Sequence, residues 1–355
     1  MESIKDEWNK FCDELKDLGK LIEKNSYNDH DHYEGYRYLL RLLRLSSEMY
    51  FEHSDNNHPS FYCLSHETGK IGADNPDNHY LNANINGKNL YTIMGNIGEA
   101  DYISFGVKEN RYSIDGTMIS HDEIDLKNVD VDKNGNFSIS MNESSGKRNH
   151  LTLRPSSNMI IVRQTYKNKM LDARASMRIR SLNDYNPSLP LTNKEFINYL
   201  SSSIRFIRGT AQTFTEWVKI FQKDHLNALP LGDQVFFQAA GGDPNISYHH
   251  GYYDFKEDEC LKITTKIPQC SYWNFQLENH WMESLDYRNY PIHLNYHNAV
   301  TKNNNLKIHI TYQPENLENN LITCGRPNGA MLLRWIDADE SIEPIVELVK
   351  IKELT

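Results

Sequence analysis

The sequence predicts a mainly β protein of the α+β class, in which N-terminal and connecting helices accompany a β-sandwich and a C-terminal jelly roll. The first observation is a set of short segments rich in β-branched and aromatic residues, as in LYTIMG, MIIVRQTY and LKIHITY. Asn-Gly and Gly turn signals separate such segments, as in INGK and KNGN. Between residues 53 and 182 no helix-length segment alternates with them, which disfavours a parallel βαβ sheet.

Residues 1–55 are predicted to form an N-terminal helical segment. Apolar residues recur there at helical spacing, with charges on the opposite face: Trp8, Phe11, Leu15, Leu18 and Ile22. A second helix is expected at about 32–52, where GYRYLLRLLRLSSEMYF is apolar around most of its circumference. We therefore expect this second helix to be well buried.

Two β regions follow, separated by helix. Residues 56–185 are predicted to form the β-sandwich domain. Residues 186–230 are predicted to be connecting helices, because Thr192 and Glu195 form a capping-box pattern, and Gly209 is expected to split the helix that follows. The last 125 residues, 231–355, again contain short strands with turn signals, which fits a jelly roll or a similar two-sheet sandwich.

The charge balance limits the class of partner. The chain of 355 residues has a net charge of −10 and no lysine- or arginine-rich run. Nucleic-acid binding needs a basic face that displaces counterions from phosphates, so no nucleic-acid partner is expected. No apolar run approaches the roughly 18 residues that span a bilayer, and the N-terminal MESIKDEWNKF is charged. We therefore expect no membrane partner and a cytoplasmic location, and the oligomeric state stays open.

The cysteines and the missing motifs narrow the chemistry. Five scattered cysteines form no CxxC pair, which indicates free thiols rather than a disulfide framework or a zinc knuckle. No G-x-G-x-x-G follows a strand, and neither G-x-x-x-x-G-K-[ST] nor G-x-S-x-G occurs. Nucleotide-driven chemistry, dinucleotide redox chemistry and nucleophile-elbow hydrolysis are therefore disfavoured, and no cofactor is required.

The stretch WNFQLENHW, residues 273–281, contains the candidate catalytic residues. Its first part alternates like a strand and places Asn274, Gln276 and Glu278 on one face. That polar face either meets water or lines a cavity. Glu278 and His280 lie on one side if the strand continues, and a carboxylate beside an imidazole is a workable proton-transfer pair.

Aromatic and arginine residues are the candidates for ligand binding. Trp281 and Tyr287 would form the floor of the site, since aromatic rings hold sugar or aromatic rings. Arg163 and Arg326 would hold an anionic group. Like Arg334, they occur in or near strands, where an arginine must find an acid or an anion because an unpaired buried charge is costly.

Three histidines raise the possibility of a divalent metal. His293 and His297 share one face of the strand PIHLNYHNA, and His309 lies in the next strand, LKIHITY. If the two strands pair as a hairpin, the three rings can bind Zn²⁺ or Fe²⁺ inside a cupin-like barrel. The polar face of a half-exposed strand has the same pattern, so both interpretations stay open.

Five segments occur in the order in which a known family has them: GYRYLLRLLR, ADNPDNHYLNANINGKNLYTIMGNIGEADYISF, LTLRPSSNMIIVRQTY, SYWNFQLENHWMESLDY and NNLITCGRPNGAMLLRW. Together they resemble the domain of unknown function 1214 proteins, which are often joined to the domain of unknown function 1254. The resemblance covers most of residues 30–350. It implies a small helical part, an immunoglobulin-like sandwich and a jelly roll, and it implies no agreed activity.

The resemblance bears on two loops: it adds the loop with Asp74 and Asp77 to the candidate site, and it shows that the loop 319–326 differs from the family pattern. It suggests that the loop with Asp74 and Asp77 matters, so both are counted as substrate-binding candidates, although Asx-turn capping is the simpler explanation of their side chains. The family has a Trp- and Asp-containing run where this chain has residues 319–323, and a His where it has Arg326. This difference indicates altered chemistry or a lost activity.

These observations predict an enzyme that acts by side-chain acid/base chemistry, lyase- or hydrolase-like. Its substrate would be a small polar or carbohydrate-like molecule in a cleft at the domain junction. Two alternatives stay open. One is a non-catalytic small-molecule or glycan-binding protein, which the altered loop favours, and the other is a metal-dependent cupin-like enzyme.

Overall fold

The computed structural model describes residues 3–144, 148–170, 172–183 and 187–354. Their α-helices are α1 (Ile4–Asn25), α2 (Asp29–Ser47), α3 (Asn193–Asp224) and α4 (Gln234–Ala239). Their strands are β1 (Asn78–Asn84), β2 (Tyr91–Asn96), β3 (Tyr102–Arg111), β4 (Thr117–Asp125), β5 (Asn136–Asn142), β6 (His150–Thr152), β7 (Met159–Thr165), β8 (Ser176–Ser181), β9 (Ile246–Asp254), β10 (Glu259–Lys266), β11 (Tyr272–Leu277), β12 (His293–Asn295), β13 (Thr301–Lys302), β14 (Asn305–Thr311), β15 (Asn320–Ile322), β16 (Asn328–Ile336) and β17 (Ile345–Lys350). A π-helical turn, Glu48–Glu52, extends α2.

Strands β1 to β8 form an N-terminal sandwich of two sheets. One sheet has the order β1-β7-β3-β4 and the other the order β6-β5-β2-β8. The paired strands are antiparallel, except that β5 and β6 run parallel. Apolar side chains from both sheets fill the space between them, among them the fully buried Ile93, Phe105, Ile139 and Val162. Burying such side chains is the main driving force for this packing.

Strands β9 to β17 form a second sandwich. One sheet has the order β12-β11-β16-β9, and the other has the order β13-β14-β10-β17 with β15 parallel to β14. Buried aromatic and aliphatic residues lie between the sheets, including Phe275, Ile310 and Trp335. The predicted fold class, a mainly β α+β protein with sandwiches and with N-terminal and connecting helices, is confirmed.

Helix α3 is one continuous helix of 32 residues and does not break at Gly209, so that prediction was wrong. The predicted capping box is present, with the Thr192 hydroxyl accepting from the Glu195 N–H and the Glu195 carboxylate reaching back to Thr192. A Cβ at Gly209 would lie 1.8 Å from the Tyr112 carbonyl oxygen. The glycine therefore permits close contact between α3 and the N-terminal sandwich rather than a bend.

The helices cover the outer face of the sheet β12-β11-β16-β9. One apolar cluster joins residues of α1, α2 and α3 to residues of that sheet, including Tyr252, Tyr272 and Leu332. The sheet is therefore packed on both faces. Each helix in the described part of the chain is too short or too polar to span a lipid bilayer. The expected cytoplasmic location stays a prediction.

Candidate functional site

A cavity of about 160 Å³ lies where the two sandwiches and the helices meet. It is lined by the segment 64–82, by strands β3, β4 and β7 of the N-terminal sandwich, by α3 and α4, and by β9 and β16 of the C-terminal sandwich. Cavities at such junctions are common ligand sites. The lining has an aromatic side and a polar side.

The aromatic side comes from α3 and α4. Phe206, Phe214 and Trp217 recur at helical spacing on α3, which places them on one face of the helix, and Phe237 of α4 joins them. The Trp217 and Phe237 ring centroids are 5.2 Å apart. Together these rings form an apolar wall with little capacity for hydrogen bonding.

His250 of β9 lies at the edge of this aromatic wall. Its ring stacks on Phe221 with centroids 4.9 Å apart and planes 10° apart, and it lies 4.7 Å from Phe237. Its Nδ1 is buried and has no hydrogen-bond partner among the described residues. Burial holds the pKa of His250 well below its ordinary value, so the imidazole is neutral.

The polar side begins with the segment 72–78, which lies on the outer face of β11. Gly72 and Ala73 adopt left-handed backbone angles, φ 54° and 60°, and turn the chain towards the sheet. The Ala73 N–H donates to the Met282 carbonyl at 2.7 Å, and the Asp74 carboxylate accepts from the Ser284 N–H at 3.0 Å. The segment thereby joins the C-terminal sheet to the N-terminal sandwich.

The polar face of β11 points inward, into this segment. Asn274 donates to Asn75 Oδ1 at 3.0 Å, and Gln276 donates to the Asp74 carbonyl at 3.0 Å. Both side chains are fully buried. The polar residues that alternate in WNFQLENHW therefore contact the segment 72–78 and do not face water.

Arg334 of β16 lies between this row and the cavity, and it lines the cavity. Its Nη1 donates to Gln276 Oε1 at 2.6 Å and to Asn274 Oδ1 at 3.4 Å, and its Nη2 donates to the Ala73 carbonyl. All three acceptors are neutral oxygens. Arg334 is thus a buried cation, 4% exposed, without a hydrogen-bonded carboxylate among the described residues.

Glu278 and His280 do not form the predicted proton-transfer pair. Glu278 Oε1 accepts from Gln276 at 2.8 Å, whereas Oε2 is buried without a hydrogen-bond partner in the described part of the chain. His280 Nδ1 instead bonds the Tyr252 hydroxyl at 2.8 Å. β11 ends at Leu277, and the chain then turns through Met282 at φ 55°, so the strand geometry that would align the pair is lost.

Burial shifts the two groups in opposite directions. It raises the pKa of Glu278 from 4.5 to about 8, and the charge of Arg334 only partly opposes this shift. It lowers the pKa of His280 from 6.5 to about 4. Both groups are therefore mainly neutral at pH 7. Neither side chain lines the cavity.

The predicted aromatic floor is also absent from the cavity. Trp281 is buried, stacks on Tyr38 with centroids 6.3 Å apart and donates to the Asp31 carbonyl at 2.8 Å. It belongs to the packing of α2 against the sheet. The Tyr287 ring lies 4.8 Å from Lys70 Nζ, away from the cavity lining.

Of the predicted ligand-binding arginines and aspartates, two line the cavity. Arg163 lines it but is paired with Glu123 at 3.0 Å, and Asp74 lines it through the segment described above. Arg326 lies outside the lining and pairs with Glu34. Asp77 is also outside it and accepts hydrogen bonds from the C-terminal sheet. An internal partner replaces the expected substrate in each case.

The three histidines do not form a metal site, so that prediction was wrong. His293 contacts Asp77 at 3.2 Å, His297 is exposed, and His309 Nδ1 lies 2.7 Å from the Glu318 carbonyl. Strands β12 and β14 belong to different sheets, so they do not pair as a hairpin. The residues that the structure describes contain no group of three or more His, Cys, Asp or Glu side chains that could hold a metal.

The sequence patterns named Arg334 only beside two other arginines, and they placed neither His250 nor the aromatic wall in a site. The usable signal for Arg334 was an arginine inside the otherwise apolar run GAMLLRWI. His250 had only the polar pattern of a strand, and Trp217 had only the pattern of a helix core. Their proximity depends on tertiary packing.

The fold and the cavity together define a two-sandwich protein with a cavity at the junction. A crystal structure of an uncharacterized protein from Burkholderia cenocepacia is similar to this chain, with a TM-score of 0.95 and 34% identity over 98% of this chain and 97% of that one. The chain belongs to the same family as that protein. The VPA0106 protein from Vibrio parahaemolyticus shares the fold, with a TM-score of 0.50 and 12% identity over 89% of this chain and 98% of that one. No family model and no curated protein matches the chain.

Proposed function

We propose that the protein binds a small molecule in the junction cavity. The observation that supports this proposal is a cavity of about 160 Å³ that is lined both by an aromatic wall and by buried polar groups. A cavity of about 150 Å³ is known to hold benzene, so the ligand has roughly six to ten non-hydrogen atoms. The predicted carbohydrate-like ligand fits the aromatic part of the lining less well, because those rings offer few partners for hydroxyl groups.

A thermal-shift screen of small molecules, with two matched variants, tests this proposal. Leu332 lines the cavity, so L332F should fill part of it, whereas L348F makes the same change at an exposed position of β17. A ligand raises the melting temperature by mass action. The expected result is a shift in the wild type and in L348F that is lost in L332F. Equal shifts in all three proteins, or no shift with any compound, would contradict the proposal.

The second candidate function is acid/base catalysis on the same ligand, and His250 is the observation that favours it. A neutral imidazole with an unpartnered Nδ1, lying at the cavity, can accept a proton from a bound molecule. In this candidate His250 replaces the pair Glu278 and His280. The resemblance to the domain of unknown function 1214 proteins stays a prediction and names no reaction.

Product analysis separates binding from catalysis. Each compound that stabilises the protein is incubated with the wild type and with H250Q, and the mixture is analysed by mass spectrometry. Recovery of the unchanged compound from both proteins supports a binding function. Product from the wild type, with loss of product but retained thermal shift in H250Q, would support the enzyme.

A further inference from the structure

The charges around the cavity do not balance. The charged side chains among the described residues of its lining are Asp74, Arg163 and Arg334. Asp74 accepts from the Ser284 hydroxyl at 2.8 Å, and the same hydroxyl accepts from Lys70 Nζ at 2.7 Å. The Asp74 carboxylate is therefore compensated by a lysine on the side that faces away from the cavity.

Arg163 is compensated as well. It pairs with Glu123 at 3.0 Å and lies 3.9 Å from Asp243, and Lys108 shares Glu123 at 2.7 Å. Burial and the neighbouring Glu123 carboxylate raise the pKa of Asp243 to about 6. Two cations and two carboxylates thus form a closed group, and Arg163 has no charge left for a ligand.

Arg334 is the exception. Its hydrogen bonds use three of the five N–H donors of a guanidinium, and all go to neutral oxygens. The nearby Glu278 does not compensate it, because a carboxyl group with a pKa of about 8 is mainly protonated at pH 7. A buried guanidinium without a counter-charge is costly, and an anion in the cavity would remove that cost.

We infer that the ligand is a small carboxylic acid with an apolar body, whose carboxylate contacts Arg334 and whose body packs against Trp217 and Phe237. This inference rests on the proposed function and names the class of its ligand. Guanidinium and carboxylate groups match in geometry and form two parallel hydrogen bonds. The aromatic wall lines the same cavity, so an aromatic or branched body packs against its rings while the carboxylate contacts Arg334.

Titration calorimetry at pH 7 with matched acids and amides tests the inference in the wild type alone. The acids are benzoate, phenylacetate, 3-methylbutanoate and cyclohexanecarboxylate, and each is compared with its amide, which has the same shape without the charge. The expected result is that at least one acid binds ten-fold or more tightly than its amide, because only the acid compensates Arg334. Chloride and phosphate serve as anions without an apolar body.

A pair of variants then assigns the effect to Arg334. R334K keeps the charge but loses the planar fork, so the affinity for the acid should fall at least ten-fold while that for the amide changes less than three-fold. R326K makes the same change at the buried partner of Glu34, outside the cavity lining, and should bind the acid like the wild type. If R334K does not fold, the comparison of acid and amide decides.

Each other outcome has one meaning. Equal binding of acids and amides would overturn the inference and leave the proposed function standing. Chloride or phosphate binding as tightly as the acids would also overturn it, since the apolar body would then contribute nothing. No binding by any of the acids would overturn the inference, and if the screen also shows no thermal shift with any compound, the proposed function is overturned as well.

Discussion

Strands β5 and β11 have the same alternating sequence pattern and opposite surroundings. In β5, NFSISMN, buried and exposed residues alternate, and Ser138 and Ser140 face water. In β11, YWNFQL, every residue is buried, including Asn274 and Gln276. The period of a strand therefore identifies its two faces, and only the neighbouring elements decide whether the polar face meets solvent or protein.

The two strands differ because of what covers their sheets. The outer face of β6-β5-β2-β8 is open at β5, whereas the outer face of β12-β11-β16-β9 is covered by the segment 72–78 and by helices. Within the C-terminal sandwich itself, β10 has an open polar face, where Lys262 pairs with Glu347 at 2.6 Å. Polar side chains that are buried must be hydrogen-bonded, so the hydrogen bonds of the β11 row contribute more to stability than those of an exposed row.

The largest expected effect concerns Glu278, at the covered end of the β11 row. Its pKa is about 8 in the fold against an ordinary 4.5, so the folded state binds more protons than the unfolded state between these pH values. Its contribution to stability is complete below pH 4.5 and is lost as the pH rises to 8, by about 1.4 kcal/mol per pH unit. E278Q should abolish this loss, which amounts to roughly 4 kcal/mol over the window.

Urea unfolding at several pH values measures the effect of E278Q. The difference in the free energy of unfolding between E278Q and the wild type should grow from pH 5 to pH 8 in favour of the variant. S138A is the control: it changes an exposed residue of β5 that does not titrate, so its free energy of unfolding should depend on pH as that of the wild type does. Parallel profiles for E278Q and the wild type would show that burial does not shift Glu278.

An intermediate effect is expected from replacing one polar residue on each strand by valine. N274V removes the hydrogen bond from Asn274 to Asn75, so the buried Oδ1 of Asn75 loses that donor. The free energy of unfolding should therefore fall by about 2 kcal/mol. S138V changes an exposed position and should stay within about 0.5 kcal/mol. Chemical denaturation measures both values, and equal costs would remove the distinction between the two strands.

The smallest effect is expected on the open face of β10. K262A removes the ion pair with Glu347, in which the two side chains are 24% and 49% exposed. Pairs of this kind contribute about 0.2–1 kcal/mol, and salt weakens them. The loss should therefore lie below that of N274V and shrink in 1 M NaCl. If K262A lowered the free energy of unfolding more than N274V does, exposure would not determine how much a polar contact contributes to stability.

Local signals in the sequence predicted the elements but not their assembly. The capping box at Thr192 lies within four residues of sequence, so it could be predicted correctly. The cavity combines Arg163 with Arg334, which lie far apart along the chain, and no periodicity reports that proximity. The pairing of Glu278 with His280 was predicted wrongly because it assumed a strand beyond Leu277, where the chain turns instead.

The segment 72–78 also limits how this protein can be divided. It belongs in sequence to the N-terminal half, yet its backbone and side chains complete the hydrogen bonding of β11 and β16 in the C-terminal half. A fragment starting at residue 231 would lack this segment. Asn274, Gln276 and the Arg334 guanidinium, which are buried in the whole protein, would then lose hydrogen-bond partners. We therefore expect the two halves to fold and to be expressed only together, as one cooperative unit.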